Sequence, residues 1–354
     1  MGVDEDAIGR GSCPVTLPAQ DKILLGHGSG GRLSQELIRD VFLRALDNPE
    51  LARLNDQAIV CVNGLRLAFT TDSFVVSPLF FPGGDIGMMA VNGTVNDLAM
   101  GGAHPLCLSA AFILEEGLSK ETLGRVVQSL RRAAEAVGVN VVTGDTKVVE
   151  KGAADGLFIN TSGIGLVPEG VHLSADRARP GDRILLSGTL GEHGIAVMAQ
   201  REGLAFEGAI ASDTAPLHTL VAALLESTGE KVHCLRDPTR GGLASTLNEI
   251  AQQSGVGMTI EERAIAVREE VKGACELLGL DPLYVANEGK LVAIVEASAA
   301  EQAVVAMRRH PLGRRAQVIG TVGEPDFCLV KMRTCLGTTR IVDMLAGDQL
   351  PRIC

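Results

Sequence analysis

Residues 85–103 read DIGMMAVNGTVNDLAMGGA, and this stretch decides the architecture that we expect for the chain. Its apolar residues recur near helical spacing and predict a helix from about residue 85 to residue 100: Ile86, Met89, Val91, Val95 and Leu98. Two glycines, at 101 and 102, end this helix. Asp97 lies in it beside Asn92 and Asn96, so the helix carries polar groups as well as a core-facing side.

The segments around this helix alternate between strand and helix patterns. Before it, residues 58–71 read as a hairpin with an Asn63-Gly64 turn, and the second strand delivers Asp72 at its end. After it come an amphipathic helix over 119–137, a strand over 139–143 that ends at Gly144-Asp145, and a strand over 157–167. A boundary near 178–182 opens a second unit, with strands at 183–187 and 291–295 and helices at 194–200, after 242 and at 299–309.

The pattern predicts an α/β protein of two domains. We expect a loosely ordered N-terminus over residues 1–20, one domain over 21–175, a second over 176–340, and a mobile tail over 341–354. The length of 354 residues agrees, because a single core rarely grows so large. The 42 glycines indicate many tight turns or close backbone approaches.

Charge and composition exclude several function classes. A net charge of −11 argues against nucleic acid or an anionic membrane as the main partner. The N-terminus is acidic and unlike a signal peptide, and no run approaches the ~20 apolar residues of a membrane span. Eight scattered cysteines without a CxxC pair are expected to be reduced thiols, and no cluster has structural-zinc spacing. We therefore expect a cytoplasmic protein.

Three carboxylates are candidates for one magnesium site. Asp72 and Asp145 are each predicted just past a strand, and Asp97 lies on the 85–100 helix. Strand ends are where α/β folds gather ligands, and Mg²⁺ prefers carboxylates together with substrate phosphates. Any one of these aspartates alone is more simply a turn former or a cap, so the prediction depends on all three together.

Two glycine-rich segments could bind an anion. Gly28, Gly30 and Gly31 lie in GHGSGG at 26–31, where the backbone could approach a phosphate closely, although no Walker A sequence follows. Asp237 and Gly241 lie in DPTRGG at 237–242, which opens a helix and leaves N–H groups available to an anion. A flexible loop and an ordinary N-cap with a tight turn are the alternatives.

Three further residues are candidates for chemistry. Cys354 is the last residue, and a nucleophile on a mobile tail could visit one site to be loaded and another to be processed. Lys147 follows Asp145 by two residues, so both side chains should share one side of a strand, where Lys147 could neutralise phosphate charge. Glu288 precedes a buried strand. A frayed tail and solvated surface charges are the simpler explanations of the three.

Together these segments resemble the aminoimidazole ribonucleotide synthetase superfamily. The stretch from Asp85 to Ala103, followed by Pro105-Leu106, carries the resemblance, with Asp72, residues 144–146 and residues 237–242 at the expected places. Within the superfamily, the chain is most similar to the carbamoyl dehydratases of hydrogenase maturation. The marks of this closer similarity are GHGSGG at 26–31, TGDTKVV at 143–149 and the ending PRIC at 351–354.

The resemblance implies a homodimer in which the N-terminal sheets of two subunits form a barrel. It also implies ATP between the two domains and Mg²⁺ on Asp72, Asp97 and Asp145. The positions that match nucleotide-binding segments are Gly28, Gly30, Gly31, Asn92, Asn96, Asp237 and Gly241.

The resemblance further implies a substrate on the chain itself. A partner carbamoyltransferase, HypF, would place a carbamoyl group on Cys354, and ATP would drive its dehydration to a thiocyanate, whose cyanide passes to iron on a HypC–HypD scaffold. Lys147 would stabilise negative charge, and Glu288 would accept the proton from nitrogen. The alternatives are a small-molecule kinase or ligase with an incidental tail, and a non-catalytic nucleotide-binding scaffold.

Overall fold

The structure is a computed structural model that describes residues 22–204, 206, 208–325, 327–347, 350 and 352–354. The expectation of a loosely ordered N-terminus at residues 1–20 lies outside the described residues. The first long element is helical from Arg32 to Leu46, in three parts: α1 (Arg32–Leu37), a π-helical segment (Ile38–Leu43) and α2 (Arg44–Leu46).

A five-stranded sheet forms the first structural unit. Its strands are β1 (Ala58–Val62), β2 (Leu65–Phe74), β5 (His104–Glu115), β6 (Asn140–Val149) and β7 (Leu157–Leu166), in the order β1-β2-β7-β5-β6. Its strand pairs are antiparallel except β5 with β6, which is parallel. The predicted Asn63-Gly64 turn is confirmed, because both residues have the positive φ that a two-residue hairpin requires.

Two helices cover one face of this sheet. The decisive stretch forms α3 (Ile86–Met100), whose N-cap Asp85 accepts hydrogen bonds from the backbone N–H groups of Gly87 and Met88. The amphipathic stretch forms α4 (Lys120–Val137), which is capped by Ser119 and ends at Gly138 in the left-handed conformation. Two short strands, β3 (Phe80–Phe81) and β4 (Gly84–Asp85), precede α3.

A seven-stranded sheet forms the second unit, in the order β14-β13-β10-β12-β8-β11-β9. Its strands are β8 (Arg183–Leu186), β9 (Val232–Arg236), β10 (Met258–Glu261), β11 (Val292–Val295), β12 (Gln317–Val322), β13 (Val330–Arg333) and β14 (Thr339–Ile341). Its helices are α5 (Glu192–Glu202), α6 (His218–Thr228), α7 (Gly242–Ser254), α8 (Glu269–Leu278) and α9 (Ala300–Arg309). The apolar residues of α7 share one buried core with residues of β8, β10 and β11.

The core of the first unit also receives residues from the second unit and from the C-terminus. Val197 of α5, Ala286 and Ile353 are buried in the same apolar cluster as Phe74, Ile86 and other residues of the sheet and α3. The last residues of the chain are therefore packed between the two units. Among the described residues, no helix combines the length and the apolar character needed to cross a membrane.

Two strand boundaries differ from the sequence-based expectation. Strand β2 continues to Phe74, so Asp72 lies inside it, and β6 continues to Val149, so Asp145 lies in its middle rather than past its end. The glycine at 144 lies inside β6 and lets the strand approach β5 closely, since a side chain there would collide with the carbonyl of Ala110. The β-branched residues that follow it continue the pairing.

Candidate active site

A cleft of about 470 Å³ lies between the two units and holds the C-terminal residue. Residues of the first unit, the second unit and the glycine-rich N-terminal segment line it together. Among the lining residues are Gly28, Gly30, Asp56, Asp72, Asp97, Arg236, Asp237, Arg240, Glu288 and Cys354. The candidate residues from distant parts of the sequence therefore meet in one place, with the exceptions given below.

Three carboxylates in the cleft are close enough to share a cation. Oxygen atoms of Asp56, Asp97 and Asp237 lie within 4.8 Å of one another. Asp56 comes just before β1, Asp97 lies on α3, and Asp237 directly follows β9. Asp72 of β2 also lines the cleft and accepts a hydrogen bond from the N–H of Ser73 at 2.7 Å.

The electrostatics of this cluster favour a bound cation. Burial, reinforced by the neighbouring carboxylates, raises the pKa of Asp237 to about 8 and that of Asp97 well above its usual range. Burial also raises the pKa of Asp56 to about 6, although Arg236 opposes the shift. Buried carboxylates that lie close together are costly to ionise, because each charge is removed from water and repels its neighbours. A bound divalent cation would offset this cost.

The donor set fits magnesium. All candidate ligands are hard carboxylate oxygens, which is the set that Mg²⁺ accepts alongside substrate phosphates. Oδ2 of Asp56 is buried without a hydrogen-bond partner among the described residues, so it is free to ligate a cation. Its other oxygen, Oδ1, accepts from Arg236 at 2.7 Å, and Arg236 also pairs with Glu249.

Cys354 brings a thiol next to these carboxylates. Burial raises the pKa of the Cys354 thiol to about 12, with Arg240 opposing the shift and Glu288 adding to it. The thiol is therefore held in its neutral form when the tail is docked. Leu350 and residues 352–354 lie against both units, whereas the mobility expected for the tail over 341–354 stays a prediction.

Glu288 is buried rather than solvated. Only 3% of its surface is exposed, and its Oε1 has no hydrogen-bond partner among the described residues. Asp213 accepts from the N–H groups of Glu288 and Gly289 and pairs with Lys290 at 2.8 Å, which fixes the backbone of this segment. Burial, followed by Asp237 and Asp72, raises the pKa of Glu288 well above its usual range.

The predicted glycines divide into two groups. Gly28 and Gly30 line the cleft, and a side chain at Gly28 would meet nothing within 4 Å. Gly31 is buried instead against the backbone carbonyl of Leu345, where a side chain would collide. Gly241 adopts the left-handed conformation as the N-cap of α7 and packs beside Gly30. Gly31 and Gly241 thus shape the segments that carry the cleft residues.

The two asparagines of α3 do not reach the cleft. Asn96 donates to the backbone carbonyls of Ala215 and Glu288 and accepts from the N–H of Leu217 at 2.7 Å. Asn92 contacts Thr214 at 3.4 Å. Within the single chain, both predicted cofactor-binding residues join α3 to the second unit, because the helix turns them away from Asp97.

Asp145 and Lys147 lie outside the cleft of this chain. They pair with each other at 2.5 Å on β6, where both side chains are more than half exposed. The hydrogen bond from Lys147 holds the pKa of Asp145 below its usual range. Within one chain Asp145 does not lie beside Asp72 and Asp97, because β7 and β5 separate β6 from β2. A metal site shared by all three aspartates stays a prediction.

Sequence reasoning missed three residues of the cleft. Asp56 lies two residues before β1, Arg236 is the last residue of β9, and Arg240 lies in the DPTRGG segment that begins with the predicted Asp237. An aspartate near the start of a strand and an arginine directly before Asp237 are weak signals on their own. Only the fold brings Arg236 to within 2.7 Å of Asp56, 180 positions away in the chain.

Comparison with known proteins gives the class of protein that has this fold and site. The N-terminal domain of AIR synthase related proteins matches residues 54–167, and their C-terminal domain matches residues 179–329. The expected α/β fold of two domains is therefore confirmed as AIR synthase-like.

Individual relatives narrow the family. Carbamoyl dehydratase HypE of Azotobacter vinelandii is 60% identical over 328 residues, which cover 93% of this chain and 96% of that protein. A solved HypE–HypF complex matches with a TM-score of 0.83 at 51% identity, covering 87% of this chain and 99% of the other. A solved HypE in complex with ATP matches with a TM-score of 0.79 at 52% identity, covering 94% and 100%. The chain belongs to the carbamoyl dehydratase HypE family.

Proposed function

We propose that this chain uses ATP to dehydrate a carbamoyl group carried on Cys354, yielding a thiocyanate for hydrogenase maturation. The position of Cys354 in the cleft beside the acidic cluster is the observation that carries the proposal. A small-molecule kinase has no need to place its own C-terminal thiol there. The relatives named carbamoyl dehydratase and the ATP complex of one of them support the same reading.

The reaction balances as two steps. The oxygen of the S-carboxamide attacks the γ-phosphorus of ATP while its nitrogen loses one proton, and ADP leaves. The carbon–oxygen bond of the resulting imidate phosphate then breaks as nitrogen loses its second proton. The products are a thiocyanate on Cys354, ADP and inorganic phosphate. Phosphorylation is needed because an amide oxygen is a poor leaving group.

The residues of the cleft supply what these steps require. Asp56, Asp97 and Asp237, with Asp72 beside them, would hold Mg²⁺, whose chemistry is to neutralise phosphate charge. Gly28 and Gly30 leave their backbone open to the phosphates. Glu288 would accept a proton from nitrogen, and its raised pKa makes its ionised form a stronger base than an exposed glutamate.

A second copy of the chain would complete the site. Among the described residues, no further strand pairs with the outer edge of β6, and Val142 and Val148 on it are 62% and 67% exposed. The sheet also exposes Ile113 on the neighbouring β5, Ile164 on β7 and Phe69 on β2. We propose that two copies pair these sheets into a barrel across a homodimer, which covers the apolar residues and lets Lys147 and Asp145 of one copy reach the cleft of the other.

Two partners follow from this chemistry. HypF, which forms a complex with a relative of this chain, would load the carbamoyl group on Cys354. A HypC–HypD complex would accept the cyanide on iron. Loading requires the tail to leave the cleft, because a partly buried thiol packed between two units cannot enter a second active site.

Intact-protein mass spectrometry tests the proposal. The chain is incubated with HypF, carbamoyl phosphate and Mg-ATP, and the C-terminal peptide is sequenced. We expect a carbamoyl adduct on Cys354 that loses one water when ATP is present and keeps it with a non-hydrolysable analogue. Glu288→Gln should retain the adduct. Absence of any adduct on wild-type Cys354 would overturn the proposal in favour of a small-molecule kinase.

A further inference from the structure

The last three residues are held in the cleft mainly through their backbone. The N–H of Val75 donates to the terminal carboxylate of Cys354 at 3.0 Å, and the N–H of Ser77 donates to the carbonyl of Arg352 at 3.3 Å. Nε of Arg352 donates in return to the carbonyl of Val75 at 3.2 Å. The tail therefore runs alongside residues 75–77, directly after β2.

One stripe of helix α5 contacts the other side of the tail. His193 Nε2 lies 3.0 Å from the carbonyl of Ile353, and Arg201 donates to the carbonyl of Arg352 at 2.7 Å. Val197, between them, is buried in the same apolar cluster as Ile353. Positions 193, 197 and 201 are spaced by four, so a single face of α5 makes all three contacts.

The partners of His193 define its tautomer. A backbone carbonyl only accepts, so Nε2 must carry the proton that it donates to Ile353. Nδ1 lies 2.7 Å from Oγ of Ser212, which also accepts from the N–H of Thr214 at 3.1 Å. Burial lowers the pKa of His193, which favours the neutral imidazole. In that form the hydroxyl of Ser212 donates to Nδ1, and every group in this chain of hydrogen bonds is satisfied.

His193 has no exposed surface, and Phe81 packs edge-on against its ring with centroids 5.5 Å apart. A buried N–H that loses its acceptor costs free energy, so departure of the tail leaves Nε2 to find another partner. His193 binds a backbone carbonyl, so this contact fixes how far the tail extends into the cleft and does not depend on which side chain follows. The residue after Ile353 is then held at one depth in the cleft.

We propose that His193, oriented by Ser212, is a positioning residue that sets the depth of the docked tail and so places the Cys354 thiol against the acidic cluster. This inference rests on the proposed function and names the device that brings the substrate-bearing residue to its site. Arg201 and Val197 contact the tail from the same face of α5, and together with His193 they form the docking stripe. His193 does not touch the reacting atoms, so its effect is on the population of the docked tail.

Alkylation of Cys354 tests this without any dehydratase chemistry. The full chain is treated with iodoacetamide, and modification of the C-terminal peptide is followed by mass spectrometry. We expect His193→Ala to label about tenfold faster than wild type, because the docked population falls, and His193→Gln to recover part of the protection by donating to the same carbonyl. Ser212→Ala should add little to His193→Ala, since it acts through that ring.

A comparison of thermal stability separates positioning from a general packing role. His193→Ala should lower the Tm of the full chain by more than that of a chain that lacks residues 351–354, because only the full chain also loses the contact to Ile353. His310→Ala, which removes a contact to Thr219 away from the tail, should lower both chains equally. Equal losses for His193→Ala in both chains, with unchanged labelling of Cys354, would overturn the inference.

The two proposals fail in distinguishable ways. If Cys354 is labelled faster in His193→Ala but carbamoylated wild type loses no water, the positioning role of His193 is supported and the dehydratase function is refuted. If instead His193→Ala dehydrates carbamoylated Cys354 as fast as the wild type and protects Cys354 from alkylation equally well, only the positioning role of His193 is refuted.

Discussion

Nζ of Lys147 lies 2.5 Å from Oδ2 of Asp145 on edge strand β6, with both side chains exposed and separated by two strands from the β2 carboxylate Asp72. If Lys147 acts on the phosphates as proposed, it reaches the cleft of another copy of the chain rather than its own. The pair is kept together by strand alternation, which places residues two apart on the same face.

Mixed dimers test whether Lys147 acts across the subunits. The Lys147→Ala homodimer should lose about 10²-fold or more in dehydration, because one positive group is removed from the phosphate site. When Lys147→Ala is mixed with Cys354→Ala, the tail of the Lys147→Ala chain should be processed again, using the lysine of its partner. Mass spectrometry resolves the two tails, and a Lys147→Ala tail that stays carbamoylated in every mixture would contradict action across the interface.

The edge strand itself should control the oligomeric state. Val142→Glu places a charge on the 62% exposed residue of β6 and should shift the protein from dimer to monomer in analytical ultracentrifugation. Leu336→Glu is the matched control, since Leu336 is 91% exposed near the β13–β14 turn of the other sheet. Dimers that survive Val142→Glu but dissociate with Leu336→Glu would place the interface elsewhere.

Removal of one buried charge should stabilise the metal-free chain. The pKa of Asp237 rises from 3.8 to about 8 on folding, so ionising it costs stability progressively as the pH rises through that interval. Asp237→Asn should therefore raise the metal-free Tm by several degrees at about pH 8 and have little effect in acid. Dehydration should be lost in the same variant.

Magnesium provides the complementary measurement. Mg²⁺ should raise the Tm of the wild type and leave that of Asp237→Asn nearly unchanged, since binding to the folded chain is what stabilises it. An equal increase in both proteins would show that the cation binds away from Asp56, Asp97 and Asp237. Calorimetric titration of the metal alone checks the same point independently of ATP.

Two glycines in one loop should respond differently to the same substitution. Gly31→Ala should lower the Tm markedly, because its side chain would collide with the carbonyl of Leu345. Gly28→Ala has open space around it and should keep the wild-type Tm while raising the KM for ATP. A Gly28→Ala variant with unchanged KM would remove that glycine from the phosphate site.

The amino-acid sequence alone determined the local elements and the identity of the family. Asp85 caps α3 and Gly138 ends α4 because capping and left-handed turns depend on the residue at one position. The Asn63-Gly64 hairpin follows from equally local chemistry. The candidates Asp72, Asp97, Asp237, Glu288 and Cys354 were also identified from the chain and meet in the cleft.

Only the tertiary structure decided which groups act together. It brought Asp56 and Arg236 to the cleft, left Asp145 and Lys147 on an edge strand, and turned Asn96 toward the second unit. It also set His193 against the carbonyl of Ile353. The physical reason is that capping and turn preferences act over a few residues, whereas strand order and the packing of two units fix distances between residues more than a hundred positions apart.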